Sequence, residues 1–374
     1  MHQLALARRL GPGARRRLTA LLGLAWCSLL VGAERVPGAP RDVTFLVTSD
    51  AHYDAFENED RNDRVRDTLR AMNAVTNLTW PEALGGGPIA QPRAVIVLGD
   101  LIDDGDRVFQ GKHQGPRQWL QYLADFGFDG RDGLLDFPVF ETWGNHDGPP
   151  VGCDKFGFNL QAQLKDRNRR RLQHGWLTAL SSNALFCSWD WDDVHLVLLG
   201  IYPADRPNPD WQKYSPTWHD PQGALSFLKE DLARHVGDSG RPVVLMSHCG
   251  FDTDWWHTND WQAAYQAAGS YHVILYLYGH TGTGLRTWAP AGATRPWQCI
   301  NTGQTENGFW VVQITSDSIR AAYRAKRWRT IKGADTKPKR VWDGQWEWRY
   351  PLRKSLGASP EATSPADNRS HGRP

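Results

Sequence analysis

Residues 138–147 read PVFETWGNHD, an apolar, β-prone run that leads directly into glycine, asparagine, histidine and aspartate. We predict a strand over 138–143 and a loop that begins at Gly144. In open α/β sheets, ligands bind outside the carboxyl ends of strands. This segment therefore predicts an α/β fold with a polar site at one sheet edge, provided that other strands end in the same way.

Four further segments share this layout. Each follows an apolar run of the kind expected for a strand buried on both faces. The segments are Asp50-Ala51-His52, Gly99-Asp100, Ser247-His248 and Gly279-His280. A single histidine of this kind is more often structural, but five ordered clusters of carboxylate, imidazole and amide groups indicate a shared metal site. The glycines are expected to allow tight turns that aim the next side chain.

Helices and strands alternate over the rest of the chain. Further predicted strands cover 42–49, 93–98, 185–191, 194–202, 242–247, 273–278, 298–301, 309–315 and 319–323. The predicted helices cover 62–75, 116–126, 160–174, 221–235 and 260–268. This order predicts a four-layer α-β-β-α sandwich with two central mixed β-sheets and helices outside. The folded domain is expected over 40–350, and a disordered tail over 354–374.

The first 33 residues have the layout of a secretory signal peptide, with a basic start, an apolar run over 18–30 and small residues at 31–33. An uncleaved membrane anchor is the alternative. We expect a secreted or periplasmic protein. Removing 1–33 takes away five arginines and no acid, so the net charge moves from +2 to −3. A broad nucleic-acid-binding face is therefore not expected.

Four cysteines would remain after processing: Cys153, Cys187, Cys249 and Cys299. An even number permits two disulfides in an oxidising compartment. Free buried thiols fit the sequence equally well. Cys249 follows His248 but has no CxxC partner, which favours a packing role.

Together the five segments resemble the calcineurin-like metallophosphoesterase superfamily, whose pattern is DxH, GD, GNH(D/E), a lone His and GHxH. The resemblance spans about residues 43–282. It implies that Asp50 and His52 bind a first metal ion and that Asp100 bridges two ions. It also implies that Asn145, His248 and His280 bind the second ion. His146 would be the acid/base residue, with Asp147 orienting it.

The residue chemistry agrees with this assignment. Asp50 and His52 are two positions apart, so their side chains point the same way if the backbone is extended. Mixed oxygen and imidazole donors suit transition metals such as Mn, Fe or Zn better than Ca. We therefore expect two transition metal ions.

The last motif departs from the family pattern, since Gly282 replaces the second histidine of GHxH. That histidine would serve the first metal ion. We expect this ion to keep Asp50, His52 and Asp100, with water completing its shell, and to bind more loosely.

The expected activity is hydrolysis of phosphate esters by an exported enzyme, with attack by a metal-bridging hydroxide and protonation of the leaving group by His146. Trp255 and Trp256 are candidate substrate contacts, and Tyr53, Trp143 and Trp211 could add aromatic surface. Aromatic surface favours a phosphodiester, with a small-molecule or lipid-head leaving group, over a small monoester. A membrane partner is expected only if the N-terminal segment is uncleaved.

Three alternatives stay open. One is phosphomonoesterase or protein-phosphatase-like activity. The second is a catalytically weakened metal-binding relative. The third is a Trp-rich glycan-binding module, because the chain has 19 tryptophans.

Overall fold

The computed structural model describes residues 40–54, 59–148, 158–210, 216–253, 255–331 and 339–356. Internal contacts separate Met1–Pro40 from Arg41–Pro374, and the elements named here all belong to the second unit. The predicted signal peptide, Cys153 and Trp211 lie outside the described residues. So does the predicted tail beyond 356.

The described residues form two large mixed sheets and one small hairpin. The strands are β1 Asp42–Thr48, β2 Val95–Leu98, β3 Val108–Phe109, β4 Lys112–His113, β5 Val139–Thr142, β6 Ala179–Leu180, β7 Cys187–Trp191, β8 Val194–Leu198, β9 Pro242–Met246, β10 His272–Tyr278, β11 Thr283–Trp288, β12 Trp297–Thr302, β13 Gly308–Thr315, β14 Ser318–Ile331 and β15 Lys339–Ser355. The first sheet has the order β15-β14-β13-β1-β2-β5, and the second β11-β12-β10-β9-β8-β7-β6. Strands β1, β2 and β5 run parallel in the first sheet, as do β8, β9, β10 and β12 in the second.

Five α-helices accompany the sheets within the described residues. They are α1 Glu59–Asn73, α2 Gly115–Phe126, α3 Leu160–Gln173, α4 Ala224–Asp231 and α5 Thr258–Ala268. Local sequence sets their ends. A proline lies in the first turn of α2, and Gly127 ends that helix with a positive φ. Asn159 caps α3, since its side chain accepts a hydrogen bond from the Ala162 N–H.

The core divides by strand face. Val43, Phe45 and Val47 of β1 pack in one cluster with Val244 and Met246 of β9. The residues at the alternate positions of these strands, among them Leu46 and Leu245, pack in another cluster with side chains of the helices. Because successive strand residues point to opposite faces, the first cluster lies between the sheets and the second lies under the helices. This distribution agrees with the four-layer order.

The predicted α/β fold with two mixed sheets is confirmed. Several elements differ from the prediction, among them the short strands β3, β4 and β6, which were not predicted. Strand β11 was not predicted, β14 continues eight residues past 323, and β15 was not predicted at all. Strand β15 also carries regular structure to Ser355, past the predicted domain end at 350. The added residues of β14 and β15 are largely exposed or half-buried, so no apolar run marks them in the sequence.

Candidate metal centre

The candidate ligands lie just past the carboxyl ends of five strands. Asp50 comes two residues after β1, Asp100 two after β2, His248 two after β9 and His280 two after β10. Asn145 comes three residues after β5. Parallel strands end at one sheet edge, so the ligands of each sheet emerge side by side. The five segments that the sequence singled out therefore meet at one place.

The backbone at these ligands is left-handed rather than extended. The φ angles of Asp50, His52, Asp100 and His280 are 51°, 47°, 52° and 68°. The expectation that Asp50 and His52 sit on extended backbone was wrong. Non-glycine residues rarely adopt this conformation, which concentrates at functional sites. Backbone hydrogen bonds hold it, since the Asp50 N–H donates to the Gly99 carbonyl and the His52 N–H to the Asp100 carbonyl, both at 2.9 Å.

The motif glycines are required mainly for space. A Cβ on Gly144 would lie 2.3 Å from Asp100 Oδ1, and one on Gly279 would lie 2.7 Å from Asp50 Oδ2. Gly99 has a φ of +85°, and its Cβ would lie 2.7 Å from His248 Nδ1. Of these three glycines, Gly99 alone has a left-handed backbone, which fits the expected tight turn. At 144 and 279, a side chain would fill the space that the ligands occupy.

Two groups of donors share Asp100. His52, Asp100 and His146 form one group, and Asp50, Asp100 and His248 form the other, with all donor atoms of each group within 4.8 Å of one another. His52 Nε2 lies 3.7 Å from Asp50 Oδ1 and 3.8 Å from Asp100 Oδ2. His248 Nε2 lies 3.3 Å from the same Asp100 oxygen. Asp100 thus has the position of a bridging carboxylate.

The second half of the site joins the two sheets. His248 Nδ1 lies 2.7 Å from the Leu98 carbonyl. Because a carbonyl can only accept a hydrogen bond, Nδ1 carries the proton and Nε2 is available to bind a metal ion. Nε2 lies 3.0 Å from Asn145 Oδ1. The His248 and His280 rings are 5.1 Å apart. Cys249 Sγ also lies within 4.8 Å of donor nitrogens of His248 and His280, although the sequence favoured a packing role for it.

His146 and Asp147 are held differently from what the sequence suggested. The His146 ring Nδ1 donates to the Asp103 carbonyl at 2.6 Å. The Asp147 carboxylate accepts from the backbone N–H groups of Gly144, Leu101 and Ile102 at 2.7, 2.8 and 3.0 Å. Asp147 therefore braces two ligand loops, and Asp103 orients the imidazole through a main-chain carbonyl. Sequence offers no signal for such a contact, because any residue supplies a carbonyl.

The charges of the site fit bound cations. Asp50, Asp100 and Asp147 are all buried, with exposures of 5%, 1% and 1%. Buried carboxylates are unfavourable unless cations or hydrogen bonds offset them. Burial lowers the pKa of His248, but Asp100 outweighs this effect and raises it to about 9 in the absence of bound cations. Burial and the charge of Asp100 raise the pKa of Asp147 to about 7.

A further observation supports the fit. Burial and the neighbouring positive charge of His248 lower the pKa of His280 to about 4, so this imidazole is neutral and can donate its lone pair. Asp50, His52 and Asp100 would hold one ion, and Asp100, Asn145, His248 and His280 the other.

Comparison with known proteins decides the family. The family described as calcineurin-like phosphoesterase matches residues 43–283. The chain belongs to this family. Metallophosphoesterases of the family bind two metal ions, and both ligand groups that share Asp100 lie inside the matched range. No curated protein matches the chain.

Two solved structures are similar to this chain. One is GAP50, the anchor in the inner membrane complex of Plasmodium, with 12% identity and a TM-score of 0.41 over 76% of this chain and 84% of that chain. The other is TT1561 of Thermus thermophilus, with 11% identity and a TM-score of 0.37 over 73% of this chain and 94% of that chain.

The departure of this chain from the family pattern at Gly282 is also a feature of its backbone. Gly282 has a φ of +128°, and a Cβ there would meet no heavy atom within 4 Å. The preceding Thr281 hydroxyl donates to Asp252 Oδ2 at 2.9 Å and accepts from Asn301 Nδ2 at 2.7 Å. The space for a histidine is open, but this backbone disfavours any side chain.

The aromatic side chains expected to face the substrate are mostly in the core. Trp256 is 1% exposed, stacks on Tyr202 and donates its N–H to the Gly250 carbonyl. Tyr53 and Trp143 are likewise buried. The assignment of Trp256 to the substrate is therefore corrected, since its ring and its N–H are already satisfied. The Trp255 ring packs edge-on against the His280 ring, with 5.0 Å between their centroids. Trp255 therefore contacts a candidate metal ligand.

Proposed function

We propose that this protein is a dinuclear metal-dependent phosphoesterase. The observation that carries the proposal is that one Asp100 oxygen lies close to a candidate ligand of each ion, 3.8 Å from His52 Nε2 and 3.3 Å from His248 Nε2, as a bridging carboxylate must. Mn, Fe or Zn would suit the mixed oxygen and imidazole donors.

The residues of the chain have distinct tasks in the reaction. Two ions held by these residues would neutralise the charge of the phosphate and would activate a water molecule as the nucleophile. His146 is part-exposed, and its ring is held by the Asp103 carbonyl, so the free Nε2 can deliver a proton to the leaving oxygen. The backbone N–H of His146 donates to Asp100 Oδ1 at 2.8 Å, which fixes the position of His146 relative to the bridging carboxylate. The backbone contacts of Asp147 keep both loops in place.

We further propose a phosphodiester rather than a small monoester as substrate. The arginines beside the ligand loops are already engaged by carboxylates. Arg61 lies 2.8 Å from Asp103, and Arg107 lies 3.0 Å from Asp103 and 3.4 Å from Asp54. A monoester dianion needs more positive charge than a diester monoanion. Paired arginines therefore favour the diester.

Export remains a proposal that is supported by the N-terminal sequence. In the part of the chain that the structure describes, no helix is both long and apolar enough to cross a membrane. Within the same residues, Cys187, Cys249 and Cys299 are free and buried. Free thiols were one of the two expectations for these three residues.

Hydrolysis of bis-4-nitrophenyl phosphate and 4-nitrophenyl phosphate tests the proposal. Purified protein is stripped with chelator, desalted and assayed with and without added Mn²⁺. We expect Mn²⁺-dependent release of nitrophenolate, with a higher kcat/KM for the diester. Faster monoester hydrolysis would contradict the diester preference. Metal binding without any hydrolysis would indicate a weakened relative instead.

A further inference from the structure

Strands β14 and β15 form a long cationic hairpin that the reaction does not use. Their described residues, 318–331 and 339–356, carry ten lysines and arginines but only two acids. The same segment holds four tryptophans, at 328, 342, 346 and 348. Once 1–33 are removed the chain is net negative, so this positive charge is a local concentration.

A cavity of about 270 Å³ opens between this hairpin and β11. Its principal lining residues are Tyr323, Lys326, Trp328, Arg340, Arg349 and Tyr350. Among the described residues, no aspartate or glutamate lines it. The lining thus combines hydrogen-bond donors with aromatic faces.

Two polar atoms of this lining have no hydrogen bond of ordinary geometry to the residues that the structure describes. The Tyr323 hydroxyl is buried beside Thr283 and makes no hydrogen bond of ordinary geometry, and Trp328 Nε1 is also without a partner among the described residues. The Arg340 guanidinium lies 4.8 Å from the Trp328 ring centroid. Arg349 is partly neutralised, since its Nε donates to Glu347 at 2.6 Å. Buried donors without partners are unfavourable, and an anion would satisfy them.

The backbone shapes this cavity. The pairing of β14 with β15 shifts register between Ala321 and Tyr323 and again between Lys326 and Trp328. Tyr350 has a φ of 52°. Such bulges re-aim side chains and recur beside active sites.

The cavity lies near the metal centre, to which its lining residue Thr283 is connected. Its lining residue Thr283 follows His280 by three positions. A Cβ on Gly303 would lie 1.8 Å from Thr283 Oγ1, and the Gly303 carbonyl accepts from Ser49 Oγ at 3.1 Å. The same Ser49 hydroxyl, whose one proton is shared between the two acceptors, also contacts the Asp50 carboxylate. Gly282, where a Cβ would meet no heavy atom within 4 Å, directly precedes Thr283 in the chain.

We propose that this cavity is an anion-binding subsite that receives a second anionic group of the substrate while the phosphate ester lies at the metal centre. The substrate class is then a phosphodiester whose arm carries a further phosphate or carboxylate next to an aromatic or apolar spacer. Arg340 and the Tyr323 hydroxyl would bind the anion, and Trp328 and Tyr350 would contact the spacer. The substrate role rests on the proposed function, whereas anion binding does not.

The anion site is tested first on metal-free protein, from which the chelator has been removed by desalting. Titration calorimetry with inorganic diphosphate should show binding that Arg340→Gln weakens by at least about tenfold, because charge-assisted hydrogen bonds are lost. Arg353→Gln is the matched control, since Arg353 is exposed on the same strand but does not line the cavity. No binding, or equal weakening by both substitutions, would overturn the site.

Tyr323→Phe separates binding from folding. The substitution removes a buried hydroxyl without changing the ring, so the melting temperature should stay the same or rise. Diphosphate binding should weaken at the same time. Unchanged affinity would contradict the role given to this hydroxyl.

The substrate role is tested on metal-loaded protein with two matched diesters, 4-nitrophenyl 4-carboxyphenyl phosphate and the analogue in which the carboxylate is masked as a methyl ester. We expect kcat/KM to be at least about tenfold higher for the diester with the free carboxylate. Arg340→Gln should remove this preference and leave kcat/KM for the methyl ester unchanged. Equal rates for both esters in the unsubstituted protein would overturn the substrate role. If neither ester is hydrolysed but diphosphate binding still depends on Arg340, the proposed function fails and the anion site stands.

Discussion

Asp100 is the residue on which both candidate ligand groups depend. It is 1% exposed and lies within reach of His52, His146 and His248. We expect Asp100→Asn to lower the Mn content from two ions per chain to one or none and to abolish phosphodiester hydrolysis, since an amide cannot bridge two cations. Metal content by mass spectrometry and nitrophenolate release measure this. Asp129→Asn is the control, because Asp129 pairs with Arg131 away from the site. Full activity in Asp100→Asn would refute the bridge.

His146 should act on the leaving group. We expect His146→Gln to retain both metal ions and to slow esters with poor leaving groups about 10²–10⁴-fold, while activated nitrophenyl esters lose much less. A series of aryl methyl phosphates with leaving groups of increasing pKa measures the difference. Equal slowing across the series would show that His146 is not the general acid.

Metal uptake should be linked to proton release. Burial opposes the charged form of His248, but Asp100 raises its pKa to about 9, so this imidazole is protonated at neutral pH in the absence of metal. Metal and proton compete for it, and the apparent Mn²⁺ affinity should therefore rise with pH up to about 9. For each proton that is released on metal binding, the apparent Mn²⁺ affinity should rise about tenfold per pH unit. Calorimetric titrations at about pH 6.5 and 8 should show this increase, and a pH-independent affinity would contradict the protonated imidazole.

At the scale of the element, helix α3 docks on β5 through a buried ionic cluster. Arg167 Nε donates to the Glu141 carboxylate at 2.5 Å, and Arg171 donates to it at 2.6 Å. Arg171 also donates to the Val139 carbonyl at 2.9 Å. Burial raises the pKa of Glu141, but the two guanidinium groups outweigh it and hold the pKa below the usual value. Strand β5 leads to Asn145, so this cluster supports the metal centre from behind.

We expect Glu141→Gln to lower the free energy of unfolding by about 3 kcal/mol, because it leaves two buried guanidinium groups without a counter-charge. Asp166→Asn is the control, since it removes an exposed ion pair with Arg169 and should cost less than about 1 kcal/mol. Urea unfolding measures both. The pKa of Glu141 is lowered in the folded state. Its contribution to the free energy of unfolding is therefore fully present above the unfolded pKa of 4.5, and it is lost as the pH falls through the folded pKa. Equal stability of the two variants would contradict the account.

Elements differ in how well the sequence predicts them. The strands that end at ligands were predicted because their residues are apolar on both faces, as in the VIVL of β2. Strand β15 is rich in arginine and tryptophan, and its residues are mostly half-buried or exposed. It pairs at the edge of a sheet through its backbone, so no apolar pattern marks it. For the same reason, no sequence pattern indicated the cavity beside it.

The metal centre, like the strands, was predicted only in part from the sequence. Ligand identities follow from residue types and order, and all six predicted ligands lie at the site. Main-chain contacts do not follow from residue types, so the role of the Asp103 carbonyl was missed and Asp147 was assigned to the wrong partner. The left-handed backbone of Asp50 and His52 was missed because neither residue is a glycine. Trp256 was assigned to the substrate from its closeness to His248 in sequence, and its burial depends on tertiary packing.

At the scale of the whole molecule, the metal centre joins the two sheets. The ligands Asp50, Asp100 and Asn145 follow strands of the first sheet, and His248 and His280 follow strands of the second. The His280 N–H donates across to Asp50 Oδ2 at 3.0 Å. Bound ions would therefore stabilise the packing of one sheet on the other.

Metal loading should raise the thermal stability of the whole chain. At a free Mn²⁺ concentration about 100 times the Kd, the gain is about 2.7 kcal/mol per site, which corresponds to several degrees in Tm. Scanning calorimetry of stripped and loaded protein measures this. The increase should be lost in Asp100→Asn and kept in Asp129→Asn. The same Tm with and without Mn²⁺ would contradict a centre that joins the sheets.

The most direct test of the dinuclear centre is anomalous X-ray scattering from crystals grown with Mn²⁺. We predict two manganese peaks, one on each side of the Asp100 carboxylate, with Asp50 and His52 at one and with Asn145, His248 and His280 at the other. A single peak, or peaks away from Asp100, would contradict the account.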